Sequence, residues 1–174
     1  MTKLPQTPYD TVCVSGGFDP AHIGHLRMIQ EAAQHGEVIV IVNSDAWLMR
    51  KKGYIFMPFA ERCEILRGFV GVKETVAVED EDNTVCEALR RIKPTYFANG
   101  GDRKDDNTPE MDVCEEEGIG LLWNMGGAKI QSSSTLVDDS GIVNETPTHI
   151  DGVDIIPSRV EILSAGDVSK KGDY

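Results

Sequence analysis

The sequence predicts an α/β fold in which a five-stranded parallel sheet carries helices on both faces. From Tyr9 to about Asp138, apolar strand-like runs alternate with helix-like segments, and this alternation is typical of a parallel sheet covered by helices. The chain has 174 residues, of which 40% are hydrophobic and 26% are charged, so it can bury one sizeable core. We therefore expect a single domain over residues 1–138 and a different kind of segment over residues 139–174.

The first strand, helix and second strand form the clearest βαβ unit. Tyr9–Ser15 and Glu37–Asn43 are apolar runs of strand length. Between them, apolar residues recur at helical spacing from His22 to His35, and Gly36 provides a stop.

Proline and glycine mark the ends of several later elements. Pro58 suits the first turn of a helix, Pro94 ends another, and Gly118 closes a third. The predicted helices are Ser44–Met49, Pro58–Phe69, Thr84–Ile92, Pro109–Glu117 and Ser132–Val137, and the predicted strands are Glu74–Val78, Thr95–Ala98 and Gly120–Asn124.

Charge and composition exclude several classes of protein. The net charge of −12 argues against a general nucleic-acid binder, which needs a basic surface to displace counterions from phosphates. Met1–Pro8 contains no apolar run, so we expect no signal peptide, no membrane span and a cytoplasmic location. The four cysteines lack metal-ligand spacing and are expected to be reduced and buried. Residues 139–174 are expected to be an acidic extension, partly extended or flexible, with Val153–Ile156 and Val160–Leu163 as strand-like runs.

The segment from Ser15 to His25 carries the residues best suited to chemistry. Gly16 and Gly17 let a ligand approach the backbone closely, and the helix start that follows presents unpaired N–H groups to an anion. His22 and His25 are three residues apart, so they share one helical face beside that anion site. Two imidazoles there can donate hydrogen bonds to phosphate oxygens and stabilise the charge that develops in phosphoryl transfer.

Each part of this segment alone has a simpler explanation, since histidine pairs at this spacing are more often structural and Gly-Gly turns are common. The complete string between a strand and a helix is much more specific. From Gly16 to His25 it resembles the G-x-F-D-x-x-H-x-G-H signature of the cytidylyltransferase-like nucleotidyltransferases, the superfamily of the HIGH motif. The resemblance implies a Rossmann-like fold with the nucleotidyltransferase domain over residues 1–138. It also implies catalytic roles for His22 and His25 and nucleotide contacts from Gly16, Gly17, Phe18, Asp19 and Gly24, with Asp19 holding the loop or helping to position a metal.

Two segments after the second strand also resemble the family. Val42–Asp45, with the lysines that follow, resembles the end of that strand and its lysine-bearing loop, and the Glu-Arg pair ending at Arg62 resembles the family's E-R segment. The resemblance implies that Lys52 acts in catalysis and that Asp45, Lys51 and Arg62 contact the acceptor.

Two later segments resemble nucleotide-binding motifs. Asn99–Asp102 resembles the G-G-D turn near the base and ribose, and Gln131–Thr135 resembles the S-S-T motif that binds the β- and γ-phosphates at a helix start. The contacts implied are from Gly100, Gly101, Asp102, Ser132, Ser133 and Ser134. Val137 departs from the pattern, because many members have Arg or Lys there; that phosphate contact is missing or is supplied by Lys129 or Arg103.

The function implied by the resemblance is transfer of AMP or CMP from ATP or CTP to a sugar or polyol phosphate, with release of pyrophosphate. The segments Val42–Asp45 and Gly100–Asp102 and the apolar Val137 favour an adenylyltransferase similar to that of ADP-heptose synthesis, and a glycerol-3-phosphate-type cytidylyltransferase is the alternative. A non-catalytic nucleotide-binding regulator is the alternative of another class, which Val137 also favours. Mg²⁺ is expected on the nucleotide and not in a cage of protein ligands. We expect no nucleic-acid or membrane partner, and a homodimer through Met57, Phe59, Phe69 and Val70 stays open, although core packing is the more common use of such residues.

Overall fold

The computed structural model describes residues 10–101, 108–141, 148–150 and 153–155. Within the first two ranges, strands and helices alternate along the chain. The strands are β1 Thr11–Gly16, β2 Glu37–Val42, β3 Val72–Ala77, β4 Tyr96–Gly100 and β5 Gly120–Met125, and the helices are α1 Ile23–Ala32, α2 Asp45–Lys52, α3 Phe59–Arg67, α4 Cys86–Ile92, α5 Pro109–Glu117 and α6 Ser133–Ser140. Two short strands, β6 Thr148–Ile150 and β7 Val153–Ile155, form a separate antiparallel pair.

The five-stranded sheet is parallel and has the order β3-β2-β1-β4-β5. The chain moves outward from β1 to β3 and then crosses back to place β4 on the other side of β1. The strand order therefore reverses between β1 and β4. In open α/β sheets a ligand binds in the crevice beyond the carboxyl ends of the strands at such a reversal.

Apolar side chains cover both faces of this sheet. On one face Val12, Val14 and Val40 pack with residues of α1 and α3, and on the other Cys13 and Ile41 pack with residues of α4 and α5. Because successive residues of a strand point to opposite faces, β1 and β2 have to be apolar almost throughout. The continuous run in β2 has this cause, and the predicted fold class is confirmed.

The predicted elements are all present, with shifted ends. β3 begins at Val72, two residues before the predicted start, and α2 continues to Lys52 instead of ending at Met49. The predicted lysine-bearing loop is therefore the last turn of a helix. The expected strand at Val153–Ile156 overlaps β7, while the run at 160–163 lies outside the described residues. The domain boundary near residue 138 stays a prediction, and α6 itself extends to Ser140.

Three of the four residues considered for a dimer contact belong to the core. Met57 is buried, Phe59 and Phe69 pack against the core, and Val70 is 85% exposed. The four cysteines are buried and unpaired, and burial raises the pKa of Cys13 to about 12 and that of Cys114 to about 11, so these thiols are poor nucleophiles. In the described ranges, no helix has the length and apolar character that a membrane span requires.

Candidate active site

A cavity of about 250 Å³ opens at the carboxyl edge of the sheet, where the strand order reverses. Its lining comes from the loops that follow β1, β4 and β5 and from α1, α2 and α6. The lining residues are Gly17, Phe18, His22, Gly24, His25, Met28, Trp47, Lys52, Gly100, Gly101, Met125, Gly126, Gly127, Ala128, Lys129, Ile130, Gln131, Ser132, Ser133 and Ser134. Four segments that are distant in sequence therefore contribute to one site.

The two histidines cap the start of α1 with their own side chains. The backbone N–H of Gly24 donates to Nδ1 of His22 at 3.1 Å, and the backbone N–H of His22 donates to Nδ1 of His25 at 3.2 Å. This reciprocal arrangement is a capping box in which imidazoles take the usual places of Ser or Thr and Glu or Gln. The rings stack with their centroids 3.8 Å apart.

These caps determine which ring nitrogen carries the proton. Because Nδ1 accepts in both residues, each neutral imidazole has its proton on Nε2 and can donate a hydrogen bond from there. Burial, and then the charges of Lys129 and Lys52, lower the pKa of His22 below its ordinary value. His22 is therefore a neutral hydrogen-bond donor at physiological pH, which suits binding of an anionic oxygen.

Phe18 and Asp19 hold the loop after β1 in place before α1. Phe18 is buried, has a φ of 52° and packs edge-on against the ring of His25 with centroids 4.7 Å apart. Asp19 is also buried, and its carboxylate accepts the backbone N–H groups of Phe56 and Met57 at 2.7 and 2.5 Å. Burial raises the pKa of Asp19, while the two N–H donors and the charges of Arg62 and Lys52 oppose that rise. This carboxylate connects the loop after β1 to the segment before α3.

The start of α6 closes the opposite side of the cavity. Ser132 is the N-cap, and its hydroxyl oxygen accepts the N–H of Thr135 at 3.5 Å. The hydroxyl of Ser133 donates to the carbonyl of Pro20 at 2.8 Å. The first turn of α6 is thus tied to the loop that precedes α1, and both helices present their N-termini, which favour anions.

The charged groups around the cavity are positive although the protein as a whole is acidic. Lys52 and Lys129 line it, and among the described residues no carboxylate does. Burial is the main cause that lowers the pKa of Lys52. An anion that enters the cavity therefore meets two lysines, two imidazoles and two helix starts.

The match to known proteins agrees with this geometry. A family model described as Cytidylyltransferase-like matches residues 13–119, which is more than half of the chain. The chain belongs to the cytidylyltransferase-like family. It is a nucleotidyltransferase domain of that family.

Curated relatives are similar to this chain in sequence, and a solved structure is similar to it in fold. The bifunctional protein HldE of Streptomyces coelicolor is 38% identical over 114 residues, which are 63% of this chain and 24% of that protein. HldE of Geobacter metallireducens is 34% identical over 132 residues, 73% of this chain and 26% of that protein. The chain thus spans about a quarter of the length of these relatives. The lipopolysaccharide core biosynthesis protein from Thermoplasma volcanium has the same fold, with a TM-score of 0.55, 23% identity, and coverage of 66% of this chain and 93% of that one.

Arg62 and Asp45 do not line the cavity, so their predicted contacts with the acceptor stay predictions. Arg62 is completely buried, and its guanidinium donates to the carbonyls of Met57, Gly17 and Asn43 at 3.0, 2.6 and 2.8 Å. Its remaining nitrogen pairs with Asp45 at 2.6 Å. The three guanidinium nitrogens thus join the loop after β1, the residue that follows β2, the start of α2 and the segment before α3.

Four further residues that were expected to contact the substrates are not among the described lining residues. Gly16 does not line the cavity of this cytidylyltransferase-like domain. Its backbone lies beside the ring of Phe18, which would be 3.3 Å from a Cβ added at Gly16. Asp19 and the exposed Lys51 are also not among the lining residues, so their contacts with substrates stay predictions. Asp102 lies outside the described residues. The other predicted site residues all line the cavity, where their roles remain predictions.

Sequence reasoning left out most of the segment from Met125 to Ile130, and it left out Trp47. Gly126 and Gly127 have φ values of 81° and 74°, and a Cβ on Gly101 would lie 2.0 Å from the Gly127 carbonyl, so backbone meets backbone at this edge of the cavity. A signal was present: β1, β4 and β5 all lead into a Gly-Gly pair. Gly-Gly after three strands of one parallel sheet predicts three places of close backbone approach.

Proposed function

We propose that this domain transfers AMP from ATP to a sugar phosphate and releases pyrophosphate. The observation that carries the proposal is the pair of imidazoles that cap α1 and line a cavity closed by the serine-rich start of α6. Similarity to proteins named HldE supports the choice of ATP and a sugar phosphate, with a heptose 1-phosphate as the first acceptor to test.

The reaction is an in-line displacement at the α-phosphorus. An oxygen of the acceptor's phosphate forms a bond to that phosphorus, the bond to the oxygen that bridges to the β-phosphorus breaks, and pyrophosphate leaves with the electron pair. The Nε2–H groups of His22 and His25 donate to the oxygens of the α-phosphate as their charge grows. Ser132–Ser134 and the free N–H groups of the first turn of α6 hold the β- and γ-phosphates, and Lys52 neutralises charge on the reacting phosphates.

Mg²⁺ fits this site as a partner of the nucleotide. Among the described residues, no group of three or more His, Cys, Asp or Glu could hold a metal ion, and the cavity offers hydrogen-bond donors and serine hydroxyls. Because Mg²⁺ keeps waters and binds phosphate oxygens readily, it would enter with the triphosphate. When bound, it neutralises charge on the triphosphate.

The test is Mg²⁺-dependent release of pyrophosphate from ATP and from CTP. Each nucleotide is paired with a heptose 1-phosphate, other sugar 1-phosphates and glycerol 3-phosphate. Release with ATP and a sugar 1-phosphate alone supports the proposal. Release only with CTP and glycerol 3-phosphate would replace it by the cytidylyltransferase alternative.

A nucleotide-binding regulator is the second candidate, and the buried Val137 is the observation that favours it. Val137 is 1% exposed, so α6 offers no basic side chain to the phosphates at that place. Tight nucleotide binding without pyrophosphate release across the panel would support the regulator. For either function we propose a cytoplasmic location, since the four cysteines are unpaired and ATP is a cytoplasmic substrate.

A further inference from the structure

We propose that Glu31 is a positioning residue for the nucleotide, because it fixes the loop of residues 126–131, defined here as the glycine loop. This inference rests on the proposed function, since it concerns the same cavity. Glu31 lies in the last turn of α1, whereas the capping histidines lie at the start of that helix. It is outside the cavity lining, so any effect on the nucleotide must act through the loop.

The contact that carries the proposal joins residues 95 positions apart. The backbone N–H of Gly126 donates to a carboxylate oxygen of the half-buried Glu31 at 2.6 Å. A hydrogen bond to an ionised, partly desolvated carboxylate is among the stronger ones in proteins. It holds the first residue of the glycine loop against α1.

The backbone of Gly126 is also pressed against α1 directly. Its φ is 81°, and an added Cβ would lie 2.7 Å from the backbone nitrogen of Met28. The backbone of α1 therefore restricts the direction in which the loop leaves β5. The next glycine, Gly127, has a φ of 74° and open space where a Cβ would be, and its N–H donates to the carbonyl of Asn124 at 3.2 Å.

All six residues of the glycine loop line the cavity, and they end at the N-cap of α6. The loop carries Lys129 to the rim. Val137 is buried and supplies no basic group from α6, so among the described residues Lys129 is the cation that lines this side of the cavity. Glu31 thus determines where that charge stands, although it touches no substrate.

The expected effect on nucleotide affinity follows from the fraction of molecules in which the glycine loop is in the conformation that binds the nucleotide. If the nucleotide binds only when the loop is against α1, the apparent dissociation constant rises in proportion as that population falls. Loss of a charge-assisted hydrogen bond corresponds to about a tenfold change. Glu31→Ala should therefore weaken nucleotide binding by up to about tenfold, whereas Glu31→Gln keeps an acceptor oxygen and should weaken it by about threefold or less.

The experiment compares Glu31→Ala, Glu31→Gln and the control Gln30→Ala, which changes an exposed neighbour on the same helix. Binding of MgATP and MgCTP is measured by calorimetry, and exchange of the backbone amide hydrogens of 126–131 is measured without nucleotide. We expect faster exchange and weaker binding in Glu31→Ala, with rescue in Glu31→Gln and an unchanged KM for the acceptor where turnover occurs. Equal exchange rates in Glu31→Ala and the full-length wild-type chain would overturn the proposal. Absence of turnover in the wild type would instead count against the proposed function, because loop exchange is read without any reaction.

Discussion

His25 has two roles that one substitution can separate, since it caps α1 through Nδ1 and faces the cavity with its ring. Glutamine in the third helical position can also accept the N–H of the cap residue, so His25→Gln should keep the helix start and remove the imidazole. We expect turnover to fall by about 10²–10³-fold, the usual effect of losing one donor to a developing charge. His25→Ala should lose turnover similarly and lose about 1 kcal/mol of stability as well.

The measurements for His25 are the rate of pyrophosphate release and the midpoint of thermal unfolding. His35→Ala is the matched control, because His35 follows the same helix and does not line the cavity. Wild-type turnover in His25→Gln would remove the imidazole from the mechanism.

The lowered pKa of His22 makes the stability of the protein depend on pH. In the unfolded chain the pKa of His22 is near the ordinary histidine value of 6.5, and in the folded chain it is lower, so the unfolded state binds more protons in the interval between the two values. The contribution of neutral His22 to the free energy of unfolding is therefore complete above pH 6.5 and is lost as the pH falls through the folded pKa. Protonation also places a hydrogen on Nδ1, where the N–H of Gly24 now donates.

Asparagine is a good N-cap and does not titrate, so His22→Asn should flatten this part of the pH dependence. Urea unfolding between about pH 7 and about pH 5 should show a smaller loss of stability in the variant than in the wild type. Parallel curves for the two proteins would show that His22 has the same pKa in both states.

Helix α3 depends on a single buried cation. Removal of Arg62 leaves three carbonyls without their donor and Asp45 without its partner. Loss of the donor to three carbonyls, together with the partner of a half-exposed carboxylate, costs about 3–5 kcal/mol, so Arg62→Ala should be destabilised by about that amount or fail to fold. Chemical unfolding is the measurement, and Arg67→Ala, at an exposed position in the same helix, is the control.

If Arg62→Ala instead unfolded like the wild type and raised only the acceptor KM, Arg62 would be an acceptor ligand after all. The substitution thus distinguishes the buried role seen in the structure from the surface role that the family resemblance implied.

The elements and the histidine loop could be predicted because their signals are local. Apolar periodicity located β1, α1 and β2, and the string from Gly16 to His25 is contiguous in sequence. The position of Arg62 was not predictable in this way. An arginine in a helical pattern is usually exposed, and its burial results from carbonyls of three segments that meet only in the folded chain. The link between Glu31 and Gly126 has the same origin.

At the scale of the whole molecule, residues 10–101 and 108–141 contain both sheet faces, their helices and the complete described cavity lining. Helix α6 ends at Ser140, and its C-cap Gly141 has a φ of 69° and an N–H that donates to the carbonyl of Asp138. We therefore expect a chain that stops after Gly141 to fold and to release pyrophosphate at a rate within about twofold of the full chain, because it keeps the described core and cavity lining. Thermal unfolding and initial rates provide the test.

A loss of either property on truncation would give residues 142–174 a role in the domain. A truncation after Met125 is the control that should not fold, since it removes α6 and with it the buried Val137.

The histidine caps at the start of α1 also bear on how the protein can change under selection. The Nδ1 atoms that cap the start of α1 also determine that the imidazole protons are on Nε2. Most substitutions at His22 or His25 would therefore impair folding and turnover together. A screen for folded protein alone and a screen for active protein alone would return the same two residues. Directed evolution toward another donor nucleotide would therefore have to vary the glycine loop and leave the helix start as it is.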